Sequence, residues 1–382
     1  MKRIYLDHAS TTAMRAEAVE AMVPLLREGH NPSSLHAEGR AARAALDEAR
    51  ERVARVLNAA PREIVFTGGG SEADALALAG AAGAARERGR HVVTVGTEHR
   101  AVLHAAGRLE SAGWRVTRLP VDARGLVDAD EFEAALTPET TVASVMLVNN
   151  ETGVVQDVAR LAALARERGV VFHTDAVQAA GWCSLDVDAL GVDLLSLSGH
   201  KVHGPKGVGA LYVRSGTPLE PLIVGGGQEH GLRAGTENVP GIAGFATALA
   251  LAEAERADTA PRVAAMRDRL EAAIVSAIPD VLVNGAGAPR QPAILSVAFG
   301  GAPSDALLIR LDLEGIAASA GSACAAGSLE PSHVVAALGL DETHARGVIR
   351  FSLGRSTGDE DIRSVVERLP SLVADVRTPL AV

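Results

Sequence analysis

Short apolar runs and helix-like segments alternate along the chain between roughly residues 36 and 215. The apolar runs, which have the length and hydrophobicity of buried strands, are EIVFT, HVVTVG, WRVTRLP, TVASVMLV, VVFHTDA, DLLSLS and VGALYV. Segments with helical periodicity, such as DVARLAALARERG, separate several of them. This alternation predicts an α/β layer structure around a mostly parallel sheet, in which ligands usually lie beyond the carboxyl ends of the strands.

A second region follows a long helical pattern that begins near residue 245, GFATALALAEAERADTAPRVAAMRDRLEAAIVSAI. Beyond it the chain has the pattern of a smaller α+β region. A length of 382 residues also exceeds what a single hydrophobic core usually organises. We therefore predict a large α/β domain over residues 16–245 and a small α+β domain that combines residues 1–15 with residues 246–382.

Charge and cysteine content exclude several classes of protein. The formal net charge of −10 is opposite to the basic footprint of a nucleic-acid-binding protein. The most apolar stretches end in charges before the ~18 residues that a membrane span needs, and the N-terminus lacks the apolar core of a secretory signal. Two cysteines, Cys183 and Cys324, are too few for a disulfide framework. We expect a cytoplasmic protein that binds neither a membrane nor nucleic acid directly.

Lysine is rare and unevenly placed. Among 37 lysines and arginines only Lys2, Lys201 and Lys206 are lysine, and the last two lie in one glycine-rich loop between predicted strands, SGHKVHGPKGVG. A lysine amine can lose its proton and act as a nucleophile, whereas arginine stays protonated. This placement predicts a chemical role for the loop rather than a solvated surface charge.

The end of an earlier predicted strand carries a carboxylate. In FHTDAVQAAG, Asp175 ends the strand and Gln178 follows it, and Lys201 comes 26 residues after Asp175, beyond one more strand. Asp175 either holds a cationic ring nitrogen or caps the next turn. An aspartate and a lysine on neighbouring strand ends are what pyridoxal phosphate needs, because the lysine bonds to the cofactor and the carboxylate keeps its ring nitrogen protonated.

A glycine turn lies between a strand and a helix in FTGGGSEADAL, with Ser71 near the start of the helix. Backbone N–H groups and the helix dipole at such a turn attract a phosphate. Gly68, Gly70 and Ala73 also fit the dinucleotide-binding fingerprint, which makes a nicotinamide-dependent dehydrogenase a rival interpretation. That fingerprint requires an acidic residue after the next strand, and Glu98 meets the requirement only weakly. A purely structural turn is the third alternative.

Three further positions each have a functional and a structural interpretation. His99 follows a strand end, where a histidine either stacks on a flat cofactor or is an ordinary loop residue. Arg350 lies inside the strand pattern GVIRFSLG and binds either a substrate carboxylate or a structural aspartate. Cys324 lies among alanine, glycine and serine, which favours an exposed reactive thiol, whereas Cys183 in GWCSLDV fits a structural core position.

Taken together in order, the motifs of this chain resemble those of the cysteine desulfurases, pyridoxal-phosphate enzymes of aminotransferase class V. The resemblance extends over essentially the whole chain and rests on IYLDHASTT, NPSSLHAEGR, FTGGGSEADALAL, TEHRAVL, VNNETGVVQDV, FHTDAVQAAG, SLSGHKVHGPKGVGALYV, GGGQEHGLRAGTEN and GSACAAGSLEPSHV. The long cysteine segment with SLEPSHV is similar to the group that serves iron–sulfur assembly and general sulfur transfer. The family has the fold-type-I architecture, which implies a seven-stranded sheet between helices in the large domain.

The resemblance implies a set of site residues. Lys201, Cys324 and His99 would be catalytic, with Lys201 bonded to pyridoxal phosphate and later moving the substrate Cα proton, Cys324 as the nucleophile, and His99 stacked on the ring and serving as a local base. The other residues implied to hold the cofactor are Gly70, Ser71, Asn150, Asp175, Gln178, Ser198, His200 and Thr236, the last reaching the partner subunit's cofactor in a homodimer. Arg350 would bind the substrate carboxylate, with Asn31 and Asn150 nearby, and Lys206 would be a neighbouring structural or phosphate-side charge.

The implied reaction takes sulfur from L-cysteine, leaves L-alanine and a persulfide on Cys324, and passes the sulfur to an acceptor protein. Iron–sulfur assembly, tRNA thiolation, cofactor synthesis and DNA phosphorothioation all remain open as destinations. No metal is expected. The chain departs from the family pattern at His8, Ser71 and His230, where the family often has Asn, Thr and Arg. A selenocysteine lyase, a small-amino-acid aminotransferase, a dehydrogenase and a non-enzymatic sulfur-assembly scaffold are the alternatives.

Overall fold

The structure, a computed structural model, describes residues 3–321 and 331–378. The strands of this part of the chain are β1 Ile4–Tyr5, β2 Ile64–Thr67, β3 His91–Val95, β4 Arg115–Leu119, β5 Thr140–Ser144, β6 Val171–Asp175, β7 Leu194–Ser198, β8 Gly209–Val213, β9 Val281–Val283, β10 Ile294–Phe299, β11 Ile316–Ala317 and β12 Val348–Ser352. Its α-helices are α1 Ala16–Glu28, α2 Ala37–Leu57, α3 Gly70–Ala84, α4 Arg100–Ser111, α5 Ala129–Ala135, α6 Val158–Glu167, α7 Val187–Leu190, α8 Val239–Ala277, α9 Ser304–Leu313, α10 His333–Ala337, α11 Glu342–Ala345 and α12 Asp359–Arg377.

The central sheet has seven strands in the order β2-β8-β7-β6-β5-β3-β4. Strands β3 to β7 pair in parallel, and β8 is antiparallel to both of its neighbours. All seven apolar runs that the sequence predicts as strands form strands of this sheet. The strands inside the sheet are buried along almost their whole length because helices cover both faces of the sheet, whereas the edge strand β4 is partly exposed. The predicted α/β class and mostly parallel sheet are confirmed.

Two smaller sheets belong to a second hydrophobic core. Strands β12, β10 and β9 form an antiparallel sheet, and β1 pairs in parallel with β11, which brings the N-terminus to the last third of the chain. Helix α8 is shared between the two cores. Its first half packs Ile242 to Leu249 into the core of the large sheet, and its second half packs Val263 to Ile278 against the smaller sheets. The predicted division at residue 245 therefore lies inside one continuous helix.

Parallel strands place their carboxyl ends at one edge of the sheet, and this edge organises the site. Strands β6 and β7, which are adjacent, end at Asp175 and Ser198. A short 3₁₀ turn, Gly199–Lys201, continues directly from β7. No helix in the described ranges is apolar over enough length to cross a membrane.

Candidate active site

A cavity of about 300 Å³ lies at this edge of the sheet, within the size range of small-molecule sites. Of the twelve predicted site residues that the structure describes, ten line it: Gly70, Ser71, His99, Asn150, Asp175, Gln178, Ser198, His200, Lys201 and Arg350. They come from six separate segments of sequence. The topology of the sheet therefore brings together residues that are up to 280 positions apart, from Gly70 to Arg350.

The turn before α3 forms one end of the cavity. Gly69 has φ +146°, a conformation that L side chains rarely adopt, and it lets the chain reverse into the helix. A Cβ at Gly70 would lie 2.8 Å from Val177 Cγ2, so only glycine fits where the turn meets the strand ends. Ser71 follows in the first turn of the 15-residue helix, and Ser198 is close to Gly70 across the cavity. Free N–H groups, the helix dipole and two hydroxyls make this end suited to a phosphate.

Buried carboxyl groups form the other end. Asp175 is 5% exposed, and its Oδ1 accepts the Val177 N–H at 2.9 Å. Burial raises the pKa of Asp175, while the positive charges of His99 and Lys201 oppose that rise. Asp74 and Glu98 lie close by, and Asp74 Oδ1 and Glu98 Oε2 are buried without a hydrogen bond to any described residue. Burial, followed by the charge of Asp175, raises the pKa of both. A cationic ring nitrogen bound here would be the hydrogen-bonding partner that these acids lack.

Lys201 lies between these two ends. Its Nζ donates to the backbone carbonyls of Ala9 at 2.5 Å and Ser10 at 2.7 Å. The Ala9 carbonyl also accepts the Gln178 side-chain amide at 2.9 Å. The N-terminal segment thus positions the lysine. Sequence reasoning assigned no role to these carbonyls, because a backbone acceptor leaves no signature in side-chain chemistry.

His99 is the N-cap residue of α4. The sequence had left open whether it is an ordinary loop residue. Its Nδ1 accepts the Ala101 N–H at 3.2 Å, which fixes the ring against the cavity. Burial lowers the pKa of His99, and the charge of Lys201 adds to this whereas that of Asp175 opposes it. His200 also faces the cavity, with Nδ1 3.1 Å from Thr11 Oγ1, and burial lowers its pKa to about 4. Burial therefore favours the neutral form of both rings.

Arg350 is 2% exposed and is held from three sides. Its Nη1 donates to the Asn150 carbonyl at 2.7 Å, and its Nη2 donates to Asp7 Oδ1 at 3.0 Å and to Ser10 Oγ at 2.8 Å. Arg350 therefore pairs with an aspartate, Asp7, as its structural interpretation predicted. Arg350 also lines the cavity, and its Nε has no hydrogen bond to a described residue, so among these residues the guanidinium retains donor capacity.

A second group of cavity residues was not singled out from the sequence. Glu151 is buried, its Oε2 accepts the Ser332 hydroxyl at 2.6 Å, and it lies against Gly321, where an added Cβ would come within 2.8 Å of it. His333 follows Ser332 and lines the cavity with Gly321. Burial raises the pKa of Glu151. The sequence offered no signal for Glu151, because its burial and its contact with Ser332 join segments that are 181 positions apart.

Two predicted residues lie elsewhere in the single chain. Asn31 and Thr236 are exposed and do not line the cavity. Segments that contain them meet at another cavity, lined by Ser33, Arg43, Arg50, Gly227, Gln228, Glu229, His230 and Glu237. The expectation that Asn31 lies near Arg350 therefore has no support within one chain. Lys206 is exposed, and Cys324 lies outside the described residues.

The remaining predictions concern Cys183 and the departures from the family pattern. Cys183 packs against the main core, and burial raises the pKa of its thiol to about 11, in agreement with a structural role. The His8 ring lies against the backbone of Gly354 and edge-on to Tyr5, and burial lowers its pKa to about 4. His230 lies in the positive-φ turn at the second cavity, away from the Lys201 site.

The residues present fit pyridoxal phosphate. The cavity offers a phosphate turn at one end, an orphaned acidic cluster at the other, an amine between them and a histidine ring on the wall. The dehydrogenase alternative fails at Glu98, which is fully buried with Oε1 accepting the Met146 N–H at 2.7 Å. It is therefore not available to a ribose, as the dinucleotide fingerprint would require.

Comparisons with known proteins agree with this geometry. The aminotransferase class-V family matches residues 4–365. The chain is similar to a cysteine desulfurase IscS of Dictyoglomus turgidum, with 45% identity over 99% of this chain and 96% of the relative. It is also similar to one of Methanosarcina thermophila, with 44% identity over 98% of this chain and 93% of the relative. A solved structure named NifS-like protein superimposes with a TM-score of 0.91 at 34% identity, covering 98% of this chain and 100% of the other.

Proposed function

Since the chain belongs to the aminotransferase class-V family and is a pyridoxal-phosphate-dependent cysteine desulfurase with the type-I fold, we propose roles for its own residues in that reaction. Ser71, Ser198 and His200, with the backbone of the Gly70 turn, hold the phosphate. Asp175 would keep the ring nitrogen protonated, Asn150 and Gln178 would hydrogen-bond to the ring's phenolic oxygen, and His99 would stack on the ring.

Pyridoxal phosphate supplies an aldehyde carbon for an amine and an electron sink for bonds at the substrate Cα. Lys201 Nζ would be the amine that holds this carbon covalently, and the free amine would take the proton from the substrate Cα. Arg350, fixed by Asp7 and Ser10, binds the substrate carboxylate and so orients Cα toward Lys201. Cys324 as a thiolate attacks the substrate sulfur, which leaves L-alanine and a persulfide on Cys324.

We further propose that the protein acts as a homodimer. Large apolar side chains are exposed on two segments that flank the second cavity, with Leu35 90% and Val224 78% exposed and Leu222 and Ile223 beside Val224. Such a concentration of exposed apolar area is typical of an association surface. Asn31 and Thr236 lie on or next to these segments, which supports a role for both in the partner's site rather than in their own.

The sulfur acceptor and the compartment are also proposals. A protein acceptor for iron–sulfur assembly or another sulfuration pathway would receive the persulfide sulfur from Cys324. The small number of cysteines, two in 382 residues, supports a reducing cytoplasm.

The observation that carries these assignments is the single cavity shared by Lys201, Asp175 and the Gly70 turn. We expect the purified protein to have the absorption band of covalently bound cofactor, the band to shift when L-cysteine is added, and alanine to form in proportion to sulfide in the presence of a reductant. A colourless protein that stays colourless after incubation with pyridoxal phosphate would contradict the assignments.

Arg350 gives a separate test of substrate binding. We expect Arg350→Lys to raise KM for L-cysteine about 10- to 100-fold, because a point charge replaces a planar donor that binds a carboxylate through two N–H groups. The lysine keeps a cation beside Asp7. Steady-state kinetics with L-cysteine and with its methyl ester check this. Because the ester lacks the carboxylate, its KM should be the same for the wild type and for Arg350→Lys. An unchanged KM for L-cysteine would leave Arg350 with its structural role alone.

A further inference from the structure

A further cavity, here called the rear cavity, lies behind Lys201 in the cleft between the two hydrophobic cores. Its walls come from the N-terminal segment, the turn after β6, the middle of α8, the start of β10 and the end of β12. Four residues line both the rear cavity and the candidate active-site cavity: Ala9, Val177, Gln178 and Lys201. Lys201 therefore borders two cavities.

The rear cavity is small and has buried polar atoms on its walls. Its volume is about 40 Å³, whereas that of the active-site cavity is about 300 Å³. A bound water needs roughly 10–15 Å³ of such volume, so about three waters fit. His8 Nδ1 and Arg15 Nη1 are buried without a hydrogen bond to any described residue, both side chains line this cavity, and Arg15 is only 4% exposed. Because unpaired buried polar groups are costly, two of them on one small cavity indicate bound water.

The charges around the rear cavity are balanced, which favours water over an ion. Arg15 Nη2 pairs with Glu255 Oε1 at 2.6 Å, and Arg15 Nε lies 3.3 Å from Glu17 Oε2. Arg355 Nε lies 3.7 Å from the other carboxylate oxygen of Glu255. Two guanidinium groups thus meet two carboxylates, and a bound anion would add an uncompensated charge.

Two imidazole rings, His8 and His203, complete the polar wall, with ring centroids 6.0 Å apart. Burial, followed by the charge of His203, lowers the pKa of His8 to about 4, and burial also lowers the pKa of His203. The His203 Nδ1 lies 2.8 Å from the Ala13 carbonyl, which can only accept, so the neutral ring has its lone pair on Nε2. A neutral imidazole accepts a hydrogen bond at one nitrogen and donates from the other, so both rings are suited to bind water.

We propose that the rear cavity holds bound water through which the Lys201 amine exchanges protons with solvent, and that His8 is the positioning residue for this water. The proposal rests on the proposed function, because it concerns the proton that Lys201 takes from the substrate Cα. An N–H bond of the protonated amine breaks as an O–H bond forms on a cavity water, and a neighbouring water returns a proton to the nitrogen. The charge is unchanged, and a solvent hydrogen replaces the substrate hydrogen.

The position of the rear cavity suits this exchange. Cofactor and substrate are proposed to share the active-site cavity, which leaves little room for water on that side of the amine. The rear cavity instead reaches the surface at Arg355, which is exposed. His8 also precedes Ala9, whose carbonyl accepts a hydrogen bond from Lys201 Nζ at 2.5 Å. A water held by His8 therefore lies next to the segment that positions the amine.

His8→Leu tests this route in the cofactor-loaded protein with L-alanine, which has no sulfur to lose. In water that contains trace tritium, the wild type should incorporate tritium at the alanine Cα. We expect this incorporation to be about tenfold slower in His8→Leu, because leucine occupies the space of the ring without binding water. His8→Asn should restore most of the rate, because its amide binds water.

A kinetic isotope effect separates loss of the water route from displacement of the lysine. Ordinary L-alanine and L-alanine with deuterium at Cα are compared in the same tritiated water. In the wild type, cleavage of the Cα–H bond should limit the rate and give a full primary isotope effect. In His8→Leu, exchange between amine and water should become limiting, so the effect should fall to near unity. A displaced lysine would slow the cleavage itself and keep the full effect.

Two further measurements accompany the kinetics. His104→Leu, which changes an exposed histidine on α4 outside both cavities, should match the wild type. A crystal structure of the cofactor-loaded wild type should show water within hydrogen-bonding distance of His8 Nδ1 and Arg15 Nη1, a result that does not depend on turnover. Exchange at the wild-type rate in His8→Leu, or slower exchange with a full isotope effect, would overturn the proposal.

The wild type alone decides the matter if His8→Leu does not fold. A rear cavity without water in the crystal structure would overturn the proposal, as would a wild-type isotope effect near unity, because the amine would then exchange its protons slowly. A full effect together with ordered water supports it. If the loaded wild type incorporated no tritium into L-alanine at all, the proposed function would be contradicted instead.

Discussion

Replacing Lys201 with arginine is expected to abolish both the absorption band of covalently bound cofactor and the formation of alanine from L-cysteine, the latter by at least about 10³-fold. Arginine keeps the positive charge and can still donate to the carbonyls of Ala9 and Ser10, which now hold the amine at 2.5 and 2.7 Å. It cannot lose a proton and so can neither bond to the cofactor's aldehyde nor remove a Cα proton. The measurements are the visible spectrum and alanine release.

The loop contains its own control for this substitution. Lys206 lies five residues later, is exposed and does not line the cavity. Lys206→Arg should therefore retain both the band and turnover. If Lys201→Arg kept a band that shifts with L-cysteine, or if Lys206→Arg lost it instead, the amine that serves the cofactor would be Lys206 and the assignment of the cavity would be wrong.

The sequence was informative about Lys201 and Asp175 for a physical reason. Both lie at the ends of apolar runs, and the ends of parallel strands must meet at one edge of a sheet, whatever the loops do. The alternation with helices then predicts that most of the strands are parallel. Seven runs predicted as strands form the seven strands of the central sheet. The α/β class needed no information beyond this pattern, whereas the type-I architecture was predicted from the resemblance to a family.

The residues that were missed depend on long-range contacts that no local pattern encodes. Asp7 and Ser10 hold Arg350, more than 300 positions away, and Glu151 holds Ser332, 181 positions away. A polar residue between two elements looks the same in sequence whether it faces solvent or a distant side chain. Asn31 and Thr236 illustrate the converse, since their motifs resemble site motifs but the single chain keeps them outside the cavity.

The orientation of the histidines is a further property that residue type cannot supply. His99 and His333 carry the same ring, and the backbone group that each one meets decides which nitrogen holds the proton. One ring therefore donates and the other accepts at the same pH. The position of the Glu98–Ala101 turn relative to both rings determines which nitrogen of each ring holds the proton. That position depends on the tertiary structure and cannot be read from the sequence.

Cys324→Ala is expected to stop sulfur release from L-cysteine, with turnover lowered by at least about 10³-fold, while the cofactor band and its shift with L-cysteine remain. The residues proposed to hold the cofactor line the cavity at the large sheet and are unchanged in this variant, whereas the sulfur has no acceptor without the thiol. Sulfide and alanine assays, together with the visible spectrum, measure the two properties separately.

The second cysteine provides the matched variant for this last test. Cys183→Ala removes the buried thiol whose pKa burial raises to about 11, so it should leave turnover at the wild-type level. A lyase or aminotransferase of the same family needs no nucleophilic thiol and would keep its turnover in both alanine variants. Because Cys324 and Cys183 are the only cysteines of the chain, the pair of variants decides whether sulfur leaves by attack of a thiolate or by another route. Full activity in Cys324→Ala would exclude the persulfide, and with it every later transfer to an acceptor.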